Sequence, residues 1–203
     1  MKIPRTQGKF PAGQTSKSAY LRRIRSTFEF CLPTKASVVP DGPDWLHEVK
    51  YDGYRLRLER GDRVRLITRG GYNRANRYPW IVESALRNRQ ERFVIDCEAV
   101  VLGVDGVADF NALHSRQHDG EVQFYAFDVL ALDGDDLRKL PLSMRKANLG
   151  RLLAGRPDGI FVAPFEQGEI GSDLFRAACR MALKAWSQSA ATDRFKPGGQ
   201  STG

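Results

Sequence analysis

"HEVKYDGYRLRLERGDRVRLITR", residues 47–69, is the stretch whose reading decides the fold. Leu56 and Leu58 alternate with charged residues before Gly61-Asp62, and Val64 and Leu66 do the same after it. Successive strand side chains point to opposite faces, so the stretch predicts two half-buried strands joined at a polar turn. Downstream, "YPWIVESALRNR" (78–89) has helical spacing, with Trp80, Ile81, Ala85 and Leu86 available for one face. Strand patterns recur in "RFVIDCEAVVLGVDGVADF" (92–110), in "VQFYAFDVLALDGDDL" (122–137) and in "IFVAPFE" (160–166). "LSMRKANLGRLLA" (142–154) and "SDLFRAACRMAL" (172–183) read as helices, the second opened by Ser172 as an N-cap. Strand pairs interrupted by single helices predict an α+β fold, antiparallel sheets with packed helices, rather than a doubly wound parallel sheet.

A chain of 203 residues with 41% hydrophobic content suffices for one domain core. It has no apolar run of membrane-crossing length and no apolar secretory segment at its start, so a cytoplasmic location without a membrane partner is expected. Cys31, Cys97 and Cys179 are scattered, which predicts neither a disulfide-linked partner nor a zinc site. The net charge of +8 is concentrated at the start: Lys2, Arg5, Lys9, Lys17, Arg22, Arg23 and Arg25 stand without an acid in residues 1–26. Residues 1–27 therefore read as a basic, disordered arm, and the overall basicity does not by itself establish nucleic-acid binding.

Within "EVKYDGYR", Lys50 lies beside Val49 and Tyr51 and is followed by Asp52, Gly53 and Arg55. A lysine amine becomes a nucleophile when partial desolvation or a neighbouring cation lowers its pKa. Gly53 would let backbone approach a ligand, and Arg55 could hold a sugar or phosphate. A Lys-x-Asp-Gly run is also common as a charged strand entering a turn.

"KYDGYR", "TRGG" (68–71), "VIDCEAVVL" (94–102) and "FYAFDVLALDG" (124–134) occur in the order of motifs I, Ia, III and IIIa of the covalent nucleotidyltransferases. With "CLPTKA", "GPDWLHEVKYDGYR", "DFNALHSR" and "LPLSMRKANLGRLL", the chain resembles the adenylyltransferase domain of bacterial ATP-dependent DNA ligases of the ligase D type, over residues 28–183. The resemblance implies a nucleotidyltransferase (ATP-grasp-like) domain in which Lys50 attacks the α-phosphate of ATP, giving lysyl-AMP and pyrophosphate. It implies that Glu48 accepts from the adenine amine, that Phe127 stacks on adenine, and that Arg55 and Arg69 hold the ribose and the DNA end. Glu98 would contact the ribose or a divalent ion, Mg²⁺ or Mn²⁺. It further implies nicked or broken duplex DNA as partner, a Ku-type end-joining partner, and a nucleoid-associated place in a bacterial cytoplasm. The rival expectation is a non-catalytic remnant binding ATP or DNA weakly. An RNA ligase or GTP-using capping enzyme shares Lys-x-Asp-Gly but not the longer context.

Two departures stand out. Asp96-Cys97-Glu98 replaces the family's Asp-Gly-Glu, which is expected to crowd the nucleotide slightly, and "RGG" replaces Arg-Asn-Gly. His114 and His118 have an i, i+4 spacing that could bind a metal, but no third ligand accompanies them. The family's next motif, Glu-Gly-Leu/Ile-Val-x-Lys, is expected after residue 183, where this chain reads "KAWSQSAATD". A synonymous back-translation of residues 184–203, read two bases later, gives Gly-Leu-Val-Ser-Lys-Arg-Arg-Asp-Arg. Residues 184–203 are therefore expected to be a frameshifted, disordered tail, with the domain cut before its motif IV and no oligonucleotide-binding barrel following.

Overall fold

The computed structural model describes residues 28–31, 42–155, 158–168 and 186–195. The expectations for residues 1–27 and for the helix at 172–183 lie outside these residues. Nine strands are described: β1 (Trp45–Val49), β2 (Tyr54–Arg60), β3 (Val64–Thr68), β4 (Phe93–Val100), β5 (Gln123–Leu132), β6 (Asp135–Asp136), β7 (Ile160–Val162), β8 (Phe165–Gln167) and β9 (Trp186–Ala190). Three α-helices accompany them, α1 (Pro79–Arg87), α2 (Phe110–Ser115) and α3 (Leu142–Leu152), with one 3-10 turn at Asp119–Glu121. The large sheet has the order β3-β2-β4-β5-β6, with β7 also on β5, and the small sheet the order β8-β1-β9. Their pairs are antiparallel except β5 with β7, so the α+β expectation holds.

The opening stretch folds as two pieces rather than one hairpin. β2 and β3 pair as predicted, from Leu56↔Thr68 to Arg60↔Val64. His47–Val49, however, belongs to β1 and pairs in the other sheet. The chain crosses between sheets at residues 50–53, flush against β4. A Cβ on Gly53 would lie 2.2 Å from the Ala99 carbonyl oxygen, so this glycine admits the protein's own backbone rather than a ligand.

One face of the large sheet is the core. Leu56, Leu58, Leu66, Ile95, Cys97, Ala99, Phe124 and Ala126 pack there with Ile81 and Ala85 of α1, Leu113 of α2 and Leu149 of α3. Each fully buried leucine or isoleucine contributes about 2 kcal/mol by the transfer scale. Leu86 departs from expectation and is 49% exposed. The buried stripe of α1 is Ile81, Ser84 and Ala85, and Leu86 lies off that i, i+3, i+4 row.

Two irregularities mark the β4–β5 ladder. Cys97 pairs with Ala126 but Asp96 with Asp128, leaving Phe127 unpaired, and Ile95 pairs with Val129 but Val94 with Ala131, leaving Leu130 unpaired. Each is a β-bulge, which re-aims side chains locally. "IFVAPFE" likewise splits into β7 and β8 around Ala163-Pro164, where proline withholds an amide from any ladder.

Disorder after residue 183 was expected, yet Trp186–Ala190 pairs along all of β1, from Trp45↔Ala190 to Val49↔Trp186. Beyond it, the Ala191 amide donates to Asp44 O at 2.7 Å, and the Phe195 amide to Arg138 O at 3.0 Å. Ala191 is buried with Leu46 and Leu142. Backbone donors and acceptors on a strand edge bind any extended partner, so strand pairing here does not need apolar periodicity.

Candidate functional site

Odd-numbered residues of β2 face away from the core, and with their neighbours they charge the other face of the large sheet. Arg55 stands opposite Glu98 and Arg57 opposite Asp96, while Glu98 stands opposite Tyr125. The Arg55 guanidinium donates through Nε and Nη2 to both oxygens of Asp96, at 3.1 and 2.8 Å. Its Cζ lies 4.9 Å from the centre of the Phe127 ring and 5.4 Å from that of Phe30. The Phe127 bulge thus turns its ring toward the cation face.

Lys50 sits at the exposed end of β1, at the crossing between the two sheets. Its ammonium, with Arg55, stabilises the charged form of Glu98; burial nevertheless dominates and pushes that carboxyl up to about 7. Asp52 and Asp96 add to the upward push. The neighbouring Tyr51 ring packs 4.5 Å from that of Tyr125, itself 5.5 Å from that of Phe161. Burial, with Tyr125 alongside, pushes the Tyr51 hydroxyl up to about 12.

Glu48 is buried on β1 and ion-paired through Oε1 to the Lys146 ammonium of α3. Lys146 also donates to the Phe127 carbonyl oxygen at 2.6 Å. Burial dominates and pushes the Glu48 carboxyl up, and the Lys146 ammonium offsets part of that rise. Beside it, Arg145 donates through Nε to both Asp128 oxygens, at 2.9 and 3.2 Å, and through Nη1 to Leu140 O and Asp193 O.

Of the residues singled out from sequence, Lys50, Arg55, Glu98, Glu48 and Phe127 gather between the two sheets. Arg69 lies exposed in the turn after β3. Glu48 and Arg55 already hold partners within the protein. Cys97 does not crowd the site: strand alternation turns it into the core, where its thiol donates to Leu56 O at 3.1 Å. His114 and His118 diverge, the first to the Tyr54 hydroxyl at 2.6 Å and the second to Glu121 at 2.9 Å. Arg116, left-handed at φ 64°, ends α2 between them.

Asp96, Asp128, Arg145 and Lys146 were not foreseen as site residues. A signal existed: Leu142, Arg145, Lys146, Leu149 and Leu152 follow helical spacing and are all buried, so two cations occupy an apolar stripe. Buried cations require partners, and Asp128 and Glu48 supply them.

Among the described residues no group of three or more His, Cys, Asp or Glu side chains gathers as a metal site. Asp96, Asp128 and Glu48 are committed to cations. Glu98 remains as one carboxylate on the charged face, opposite Arg55 and Tyr125, a donor set that fits a magnesium ion carried mainly by phosphate oxygens and water.

Residues 24–176 match the family model of the ATP dependent DNA ligase domain. The multifunctional non-homologous end joining protein LigD of Pseudomonas aeruginosa is 35% identical over 163 residues, 77% of this chain and 19% of its own length. LigD of Mycobacterium tuberculosis is 42% identical over 91 residues, 44% of this chain and 12% of its own length. A mycobacterial DNA ligase D solved in complex with ATP superposes with a TM-score of 0.70 at 29% identity, covering 82% of this chain and 55% of that one. The ligase domain of M. tuberculosis LigD gives 0.67 at 30% identity, covering 78% of this chain and 52% of that one. This chain therefore spans only a fraction of each relative's length.

Proposed function

Because the chain belongs to the ATP-dependent DNA ligase domain family, we propose that it takes AMP from ATP onto Lys50 as the first step of DNA end joining. The observation that carries this reading is the placement of Lys50: exposed at the crossing of the two sheets, electrostatically coupled to Glu98 and beside the Arg55 row. The deprotonated Lys50 Nζ attacks the α-phosphorus, a P–N bond forms, the bond to the bridging oxygen breaks and pyrophosphate leaves. The proton lost by the amine passes to solvent. Phe127 offers a ring face for the purine and Glu48 a carboxylate edge. Arg55 and Arg69 supply positive charge toward the ribose and the DNA end. A divalent ion, Mg²⁺ or Mn²⁺, held by Glu98 and the phosphates supplies charge neutralisation when bound. The wider assignment includes a nicked or broken duplex as substrate, a Ku-type end-joining partner and a bacterial nucleoid setting.

Incubation with ATP and Mg²⁺ followed by intact-mass measurement tests the step. The expected result is a gain of one AMP, absent in Lys50→Ala. A second reading, a remnant that binds ATP or DNA weakly without transfer, is favoured by the internal commitments of Glu48 and Arg55. A folded chain that binds ATP yet gains no mass selects it.

A further inference from the structure

We propose that Lys146 sets the purine preference of this site by fixing Glu48 as a hydrogen-bond acceptor only. The inference rests on the nucleotide reading above and adds a residue to which no role has been given. One ammonium joins three elements: from α3 it pairs with Glu48 of β1, donates to the Phe127 carbonyl of β5 at 2.6 Å, and lies 5.1 Å from the Phe165 ring centre of β8. The Glu48 carboxylate and the backbone of Phe127 are thereby tied to a single charge. Lys146 has a side chain only 2% exposed, while that of Glu48 keeps 11%. Of the two paired groups the carboxylate is therefore the one that keeps some accessible surface.

Charge then decides chemistry. An ionised carboxylate accepts hydrogen bonds and cannot donate, whereas a protonated one carries a donor. The 6-amino group of adenine donates, and the 6-oxo group of hypoxanthine or guanine accepts. With Lys146 present, Glu48 welcomes the amino group and repels the oxo group. Without it, burial drives a proton onto Glu48, and the discrimination disappears. Asp128 and Arg55 also act on this carboxyl, in opposite directions, and neither pairs with it directly. Lys146 is a positioning residue in this scheme; it touches Glu48 rather than the nucleotide.

Equilibrium binding of ATP and of inosine triphosphate, which differ at the 6-position, tests the idea on the full chain. The intact protein is expected to prefer ATP by about tenfold or more, the worth of one charged hydrogen bond gained instead of lost. Lys146→Met brings the ratio near one, and Lys146→Arg restores the preference. If Lys146→Met fails to fold, the paired change Glu48→Gln with Lys146→Met removes both buried charges. Its amide donates and accepts alike, so the ratio is again expected near one. An unchanged preference in either neutral variant, or a relaxed one in Lys146→Arg, overturns the inference while leaving the nucleotide reading standing. No ATP binding by the intact chain overturns both.

Discussion

The two sheets differ in how far along the chain they reach for their strands. β2 to β6 of the large sheet lie between residues 54 and 136. The small sheet joins Leu46 to Gln167 on one side and to Ser189 on the other. A wide core backs the large sheet, whereas Leu46, Leu142 and Ala191 form the buried cluster at the small one. Local pairing costs little loop entropy and is repaid at once by burial; distant pairing must close long loops for a small apolar return. The large sheet is therefore expected to be the more stable frame, and the small one, which carries Glu48 and leads into Lys50, the half that opens at lower cost.

Leu58→Ala attacks the frame. Leu58 is fully buried, and its truncation is expected to remove about 3 kcal/mol of stability, read as a lower urea midpoint with all spectroscopic probes moving together. A loss confined to one probe would dissolve the distinction between the frame and the half that opens at lower cost. The charged face of the same sheet gives the next effect. Glu98 has its carboxyl raised from 4.5 to about 7. The unfolded chain releases this proton first as pH rises, so the folded state binds more protons between those values and stability falls across that window. Allowing for partial exposure, the fall amounts to about 2 kcal/mol. Glu98→Gln is expected to flatten that slope in urea titrations at stepped pH; an identical slope would remove Glu98 as its source.

Ser189→Pro strikes the small sheet and has the smallest global effect. The Ala191 amide donates to Asp44 O, so by alternation the Ser189 amide also faces β1. Replacing it removes a ladder bond. The expected cost is about 1 kcal/mol globally, with faster amide exchange confined to β1 and β9. Exchange spreading into β4 and β5 would show that the two sheets unfold as one.

The same contrast explains what could be read from the residues. Alternation about Gly61-Asp62 revealed β2 and β3 because their partners are each other. It missed the departure of His47–Val49, whose partners lie more than a hundred residues away and leave no mark on local spacing. It missed β9, because an edge binds through backbone. Among the candidate site residues, the motif order singled out Lys50, Glu98 and Phe127 but gave no sign of the internal commitments of Glu48 and Arg55. Ion pairs such as Glu48 with Lys146 join positions on separate elements, and only the apolar stripe interrupted by Arg145 and Lys146 hinted at them.

The bulges in β5 make its facing a matter of parity. Phe124 and Ala126 face the core at even positions; past the unpaired Phe127 an odd one, Val129, does so; past the unpaired Leu130 the even Leu132 packs there again. Two inversions cancel. Removal of the unpaired residue at either bulge would leave an even ladder with both ends facing as before, and only the local re-aiming of side chains would be lost. In genetic language, a one-residue deletion is expected to be tolerated at either bulge and not in the regularly paired part of β5.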